Sequence, residues 1–138
     1  MTVARHIMTP SPQTIGEKET LRTAALLLKE AGVGALPIQD EANHLIGMLS
    51  DRDIVVRCLS AEDGNPATDR AGDYASGRVV AVDANDDLEE VLRVMSTHQL
   101  RRVPVLDGDD LVGIISQADI ARRVPFRVAG ETLRRISE

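Results

Sequence analysis

Displaced by 67 positions, this 138-residue chain falls on itself. Leu21, Ala24, Ala25 and Leu28 land on Leu88, Val91, Leu92 and Met95. Both quartets follow the i, i+3, i+4, i+7 spacing of an amphipathic helix. Pro37 in "ALPI" lands on Pro104 in "VPVL", and the offset then falls to 66 because one hairpin loop is a residue shorter. Gly47, Ser50 and Asp53 meet Gly113, Ser116 and Asp119, so "GMLSDRDI" and "GIISQADI" are one phrase written twice. Such a period exceeds that of solenoid repeats, so each copy is a small fold in its own right.

The order of elements is the same in both copies. A short strand ("QTI", "RVVAV") leads to a helix over residues 20–31 or 87–98, and Gly32 supplies a helix stop in the first. A second strand ("ALPIQ", "RVPVL"), a turn ("DEAN", "DGDD") and a third strand ("HLIGMLS", "LVGIIS") form a hairpin, for which Asp107-Gly108 is a direct signal. A second helix ("DIVVRCL", "ADIARRV") closes the copy. The fold class is therefore α+β, two β-α-β-β-α repeats. Neither repeat covers its apolar faces alone, so the two are expected to pack with pseudo-twofold symmetry. Residues 1–60 form repeat 1, the Gly/Pro/acid-rich stretch 61–70 a linker, residues 71–125 repeat 2, and 126–138 a basic tail with "ETLRRI" as a short helix.

Composition excludes several partners. Tyr74 and Phe126 are the only aromatic residues and the net charge is −6, so neither the stacking platform nor the basic groove of a nucleic-acid surface is present. The charge is uneven: residues 1–120 carry eleven Lys/Arg against twenty Asp/Glu, whereas residues 121–138 carry five Arg against two Glu. No run is long enough to span a bilayer, and "MTVARHIMTP" does not resemble a signal peptide. Cys58 is the single cysteine, which suits a reducing compartment and predicts a buried, inert thiol on the apolar face of "IVVRCL". A cytoplasmic protein is expected. His6, His44 and His98 share no ligand spacing, so no metal site is predicted. No nucleophile–base pair, carboxylate pair or Walker loop appears, and no enzyme activity is expected.

The repeated Ser-x-x-Asp supports two readings. In the first it is a helix cap: serine accepts a backbone N–H, and an acid three residues on favours the positive end of the helix. In the second it is a nucleotide reader. The turn from strand to helix offers N–H groups to an anion, serine stands beside a phosphate, and the carboxylate spans the two hydroxyls of a ribose. Glycine three residues before the serine admits a close approach to the strand.

"GALPI…LIGMLSDRDIVVR" followed by "HQLRRVPVLDGDDLVGIISQADIAR" resembles a tandem pair of CBS (cystathionine β-synthase) domains, a Bateman module, over about residues 3–125. The resemblance implies two clefts related by a pseudo-twofold axis that hold adenosine nucleotides. It places Asp53 and Asp119 on ribose hydroxyls and Ser50 and Ser116 beside phosphate. Adenine would lie by Thr14, Ile15, Leu36 and Pro37 in copy one, and by Ala81, Val82, Val103 and Pro104 in copy two. Proline gives no N–H to a ladder, so Pro37 and Pro104 are expected at edge positions. Arg101, where copy one has Gly34, matches a family position whose basic group reaches phosphate. Copy one carries Asp51 between Ser50 and Asp53 where copy two has neutral Gln117, so the Ser116/Asp119 site ranks first. The family often has an acid where this chain has His6.

The implied role is a regulatory sensor that requires no cofactor, binds AMP, ADP or ATP, and acts in trans on an unidentified protein partner. The alternative is a ligand-free interaction protein whose serines are caps alone. On either reading the apolar helix faces predict a homodimer.

Overall fold

Each repeat begins its first helix on a side-chain cap. Thr20 accepts from the N–H of Thr23 to start α2 (Leu21–Ala31), and Asp87 accepts from Glu90 N to start α4 (Leu88–Thr97). Helix α2 stops where Gly32 takes the left-handed conformation, φ 65°. These helices match the predicted ranges to within a residue at each end.

The computed structural model describes residues 1–75 and 79–137, and the chain divides into two units, Gln13–Val79 and Met1–Pro12 with Val80–Glu138. In the first, β2 (Ile15–Gly16) runs parallel to β3 (Ala35–Gln39), which pairs antiparallel with β4 (Leu45–Ser50). In the second, β5 (Val82–Asp83) runs parallel to β6 (Arg102–Asp107), which pairs antiparallel with β7 (Asp110–Ser116). A further strand, β1 (Thr9–Pro10), flanks β7 in the order β1-β7-β6-β5. The predicted strand over 78–82 begins at Arg78, outside the described residues, and the observed one is shorter and later.

Behind the first sheet lie Ile15, Leu21, Leu28, Leu36, Ile38 and Leu49, with Ile54 and Cys58 from the closing helix. Behind the second lie Val82, Val91, Met95, Val103, Val105, Ile115 and Ile120. The closing helices differ. The second repeat has a regular α5 (Gln117–Arg123), whereas the first has one turn, α3 (Asp51–Asp53), that widens into a π-helical segment, Ile54–Leu59. Ser60 N bonds back to the carbonyl of Val55, five residues earlier, and so fixes the wider pitch. The tail helix α6 (Phe126–Ser137) is longer than "ETLRRI" and packs on α4 and α5, with Ala129 and Ile136 buried.

One expectation needs correction. Pro37 and Pro104 lie on β3 and β6, which have a neighbour on each side, not on edge strands. The missing N–H is tolerated because the short parallel neighbour reaches no further than the following residue. Ile15 pairs with Ile38 and Val82 with Val105, so the ladder on that side opens at each proline. The spatial units divide the chain differently from the sequence repeats. Residues 1–12, counted along the chain with the first repeat, join the unit of the second in space. Helix α1 (Ala4–Ile7) packs its buried Ala4 and Ile7 into the second core. Its counterpart 67 residues on, the 3₁₀ turn Ala71–Tyr74, packs into the first core.

Candidate functional site

At both repeats the strand-to-helix turn is tied down by the same local bonds. Ser50 Oγ accepts from the N–H of Asp53 at 3.1 Å. Asp53 Oδ2 in return accepts from Ser50 N at 2.8 Å and Ser50 Oγ at 2.9 Å. In the second repeat Ser116 Oγ accepts from Asp119 N at 3.2 Å, and Asp119 Oδ2 accepts from Ser116 N at 2.9 Å and Ser116 Oγ at 3.1 Å. These are reciprocal capping boxes, with aspartate in place of the usual glutamate. The helix-cap reading therefore holds at both positions, and each carboxylate keeps one oxygen, Oδ1, outside the box.

The turns are also tied to the preceding segment in matching fashion. Asp51 N donates to the carbonyl of Gly34, and Gln117 N donates to that of Arg101, each at 2.9 Å. Ser50 lies opposite Ala35, and Ser116 opposite Arg102. Exposed Arg101 therefore stands at the mouth of the second turn. The residues predicted to flank adenine are brought side by side within each unit. Ile15 pairs with Ile38 and Val82 with Val105, so Thr14 and Ala81 precede the paired stretch just as Pro37 and Pro104 do, at the notch that each proline opens. Ile15, Leu36, Val82 and Val103 are core side chains, however, so only their backbone can face a ligand.

The two carboxylates differ in their surroundings. Asp119 is 1% exposed, and its Oδ1 accepts from Thr9 Oγ1 at 3.0 Å and from Arg122 Nη2 at 2.8 Å. The Asp53 side chain is 26% exposed, and among the described residues its Oδ1 has only Arg57 nearby, at 3.6 Å. The sequence reading missed both Thr9 and Arg122. Arg122 was findable as the i+3 partner of an acid on a helix, whereas no local signal connects Thr9 to a residue 110 positions away.

The glycine of the repeated phrase also finds its reason. A Cβ on Gly113 would lie 2.4 Å from Met8 Sδ, and one on Gly47 would lie 3.0 Å from Ala75 Cα. Met8 and Ala75 are equivalent at the 67-residue offset, so in each unit the glycine makes room for the segment that arrives from the other repeat. The space is filled by protein.

A second cluster ties the linker to the first unit. Asp69 Oδ2 accepts from Tyr74 Oη at 3.1 Å, Asn65 N at 3.2 Å and Cys58 Sγ at 3.4 Å. Arg57 lies over the Tyr74 ring, 4.9 Å from its centre. The N–H of Asn65 leads the donors that hold the Asp69 carboxyl below its ordinary range. Burial pushes the Cys58 thiol and the Tyr74 phenol up. Cys58 is thus a protonated, buried anchor.

Two β-α-β-β-α units, each closed by a Ser-x-x-Asp capping box, define a CBS pair, and the chain belongs to the CBS domain family, whose model matches residues 4–60 and 71–125. It is 49% identical to hypoxic response protein 1 of Mycobacterium tuberculosis over 126 residues, 91% of this chain and 87% of that one. The crystal structure of hypoxic response protein I with two coordinated zinc ions aligns at a TM-score of 0.82 and 48% identity, covering 90% of this chain and all of that one. The crystal structure of CBSX2 in complex with AMP aligns at 0.75 and 25% identity, covering 88% of this chain and 95% of that one. Among the described residues here, no three His, Cys, Asp or Glu side chains stand close enough to hold a metal ion. No helix among the described residues is long and apolar enough to cross a membrane.

Proposed function

We propose that this chain is a regulatory CBS pair that binds an adenine nucleotide (AMP, ADP or ATP) at its strand-to-helix turns. Occupancy is signalled through conformation or assembly to a partner protein, with no catalytic step. One observation carries the reading: the same turn is built twice, with a serine, a carboxylate oxygen outside the capping box and a backbone notch at the proline in equal register. Ribose hydroxyls donate to the aspartate, phosphate takes the serine hydroxyl, and adenine lies along the backbone of the notch. Arg101, whose carbonyl holds the second turn, is the forked guanidinium assigned to phosphate at that turn. The AMP held by CBSX2, a relative of the same fold, supports this choice of ligand.

Accessibility reverses the ranking drawn from sequence. A ribose hydroxyl needs a carboxylate lone pair that solvent can reach, which Asp53 offers and the 1% exposed Asp119 does not. Ser50/Asp53 is therefore the leading site. Thermal unfolding with AMP, ADP, ATP, NAD and S-adenosylmethionine tests the reading. A ligand at about 100 times its Kd adds roughly 2.7 kcal/mol, a shift of several degrees. The expected result is a raised midpoint with at least one adenine nucleotide that Asp53→Ala abolishes. Flat melts with all five at millimolar concentration would leave the interaction reading in its place.

Assembly follows from a difference between the units. Helix α6 covers α4 and α5 in the second unit, whereas Leu26, Val55, Val56 and Leu59 stand exposed on the helices of the first, with exposed Val33 just beyond the end of α2. At the repeat offsets Leu26 and Val56 correspond to Arg93 and Arg122, so charges occupy the second unit where the first is apolar. A second copy of the chain is the covering partner, in a twofold arrangement. Val55 and Leu59 are 57% and 58% exposed, so Val55→Lys with Leu59→Glu leaves the core intact. The double variant is expected to sediment as a monomer where the unmodified chain sediments as a dimer. Equal sedimentation of the two proteins at micromolar concentration would exclude this face.

A further inference from the structure

Resting on the nucleotide reading above, we propose that Thr9 is the residue that closes the second site. Its hydroxyl occupies the Asp119 oxygen that a ribose would use, so this turn accepts a nucleotide only when residues 1–12 lift away.

A carboxylate offers about four acceptor positions, two on each oxygen. Ser116 N and Ser116 Oγ take those on Asp119 Oδ2, and Thr9 Oγ1 and Arg122 Nη2 take those on Oδ1. When Ser116 Oγ turns its proton to phosphate it frees one position on Oδ2, so the second of the two ribose hydroxyls must displace Thr9 or Arg122 on Oδ1. Arg122 yields readily: its side chain is 61% exposed, and an exposed guanidinium exchanges a carboxylate for water at little cost. Thr9 does not yield alone. It sits in β1, in register with Ile114 of β7, between Met8, whose carbonyl accepts from Arg123 Nη1 at 3.1 Å, and Pro10 opposite Gly113. Met8 fills the space over Gly113, and Arg5 pairs with Asp107 at 2.9 Å. Threonine is also β-branched, with little χ1 freedom on a strand, so its hydroxyl cannot swing clear while β1 is paired. Vacating Asp119 thus means moving the segment, which is what makes the second site conditional on the N-terminus.

The closing hydroxyl belongs to a residue outside the core. Thr9 is exposed on its other side, so its substitution removes the hydroxyl and leaves the packing of Ala4, Ile7 and Met8 in place.

The test isolates the second turn in the full chain by working on an Asp53→Ala background and titrating AMP calorimetrically. With Thr9 present, no binding is expected at up to millimolar AMP. Adding Thr9→Ala is expected to reveal one equivalent of AMP, at least tenfold tighter than the parent. Thr9→Ser, which keeps the donor but loses the β-branch that fixes it, is expected to restore closure in part, with affinity between those of the parent and Thr9→Ala. Binding to the Asp53→Ala parent as tight as to Asp53→Ala/Thr9→Ala would overturn the proposal, as would no gain on removing the hydroxyl while the unmodified chain binds AMP. If neither the unmodified chain nor any variant binds, the nucleotide reading itself has failed and the closure falls with it. A ligand-free measurement stands beside these. In thermal unfolding, Thr9→Ala and Asp119→Asn are expected to be less than additive, and strict additivity would show that the hydroxyl does not engage the carboxylate.

Discussion

Asp119→Ala is expected to lower the stability of the chain by roughly 2–4 kcal/mol, against about 1 kcal/mol for Asp53→Ala. The two residues occupy the same place in the same phrase, and each closes its capping box. Losing a cap interaction costs about 1 kcal/mol and applies equally to both. The excess at Asp119 comes from what else its carboxylate holds. With Asp119 1% exposed, truncation leaves Thr9 Oγ1 and Ser116 N without the acceptor they share. A buried donor left without an acceptor costs about 1–3 kcal/mol. At roughly 3–4 °C per kcal/mol for a chain of this size, the midpoint falls by about 6–15 °C. Asp53, which water reaches, loses only the cap. Equal losses at the two positions would mean that the Thr9 and Arg122 bonds contribute nothing. Asp119→Asn is expected to fall between wild type and alanine, since the amide keeps one acceptor but turns a donor toward a neighbour that already donates.

Gly113→Val is expected to cost roughly 1–3 kcal/mol and to free the N-terminal segment. The nearest atoms to a Cβ at this position are Met8 Sδ at 2.4 Å, Cγ at 2.8 Å and Cβ at 3.0 Å. A rotamer change moves the first two out of the way but not the third, so the Met8 backbone must retreat. That backbone leads into β1, which among the described residues pairs with β7 alone. Pro10 faces Gly113 itself, which leaves the pairing no room to slide. The expected signature is a lowered midpoint together with faster proteolysis at Arg5, both relative to wild type. Valine at Gly47 meets Ala75 backbone at 3.0 Å in the same way, and is expected to loosen the linker side of the first unit. An unchanged cleavage rate at Arg5 in Gly113→Val would show that β1 stays docked.

Much of this molecule is legible along the chain because much of it is built from contacts three or four residues long. The stripe Leu21, Ala24, Leu28 is one face of α2, its start is the Thr20 cap, and its end is a glycine that alone adopts φ 65° without strain. The Ser-x-x-Asp bonds span three residues, so their reciprocal geometry follows once a strand is known to enter a helix. The second helix of the first repeat was harder. "DIVVRCL" has the apolar spacing of a helix, but the choice of π over α pitch depends on which carbonyl Ser60 N finds. The prolines mislead for a related reason. An edge is a property of the sheet, and the open ladder at Pro37 exists because β2 is only two residues long.

Comparison of the two copies within one sequence determined the repeat, the order of its elements and the capping box in each turn, since each is encoded by spacing within a helix turn or a strand. The tertiary structure alone decided which repeat each leading segment serves. Ala4–Ile7 and Ala71–Tyr74 carry equivalent positions, and no short-range preference tells such a segment to dock on the neighbouring repeat's strand instead of its own. That choice set the inequality between the twin carboxylates. It brought Thr9 to Asp119 across 110 residues, where a hydroxyl fills a lone pair that the sequence had left open for a ligand.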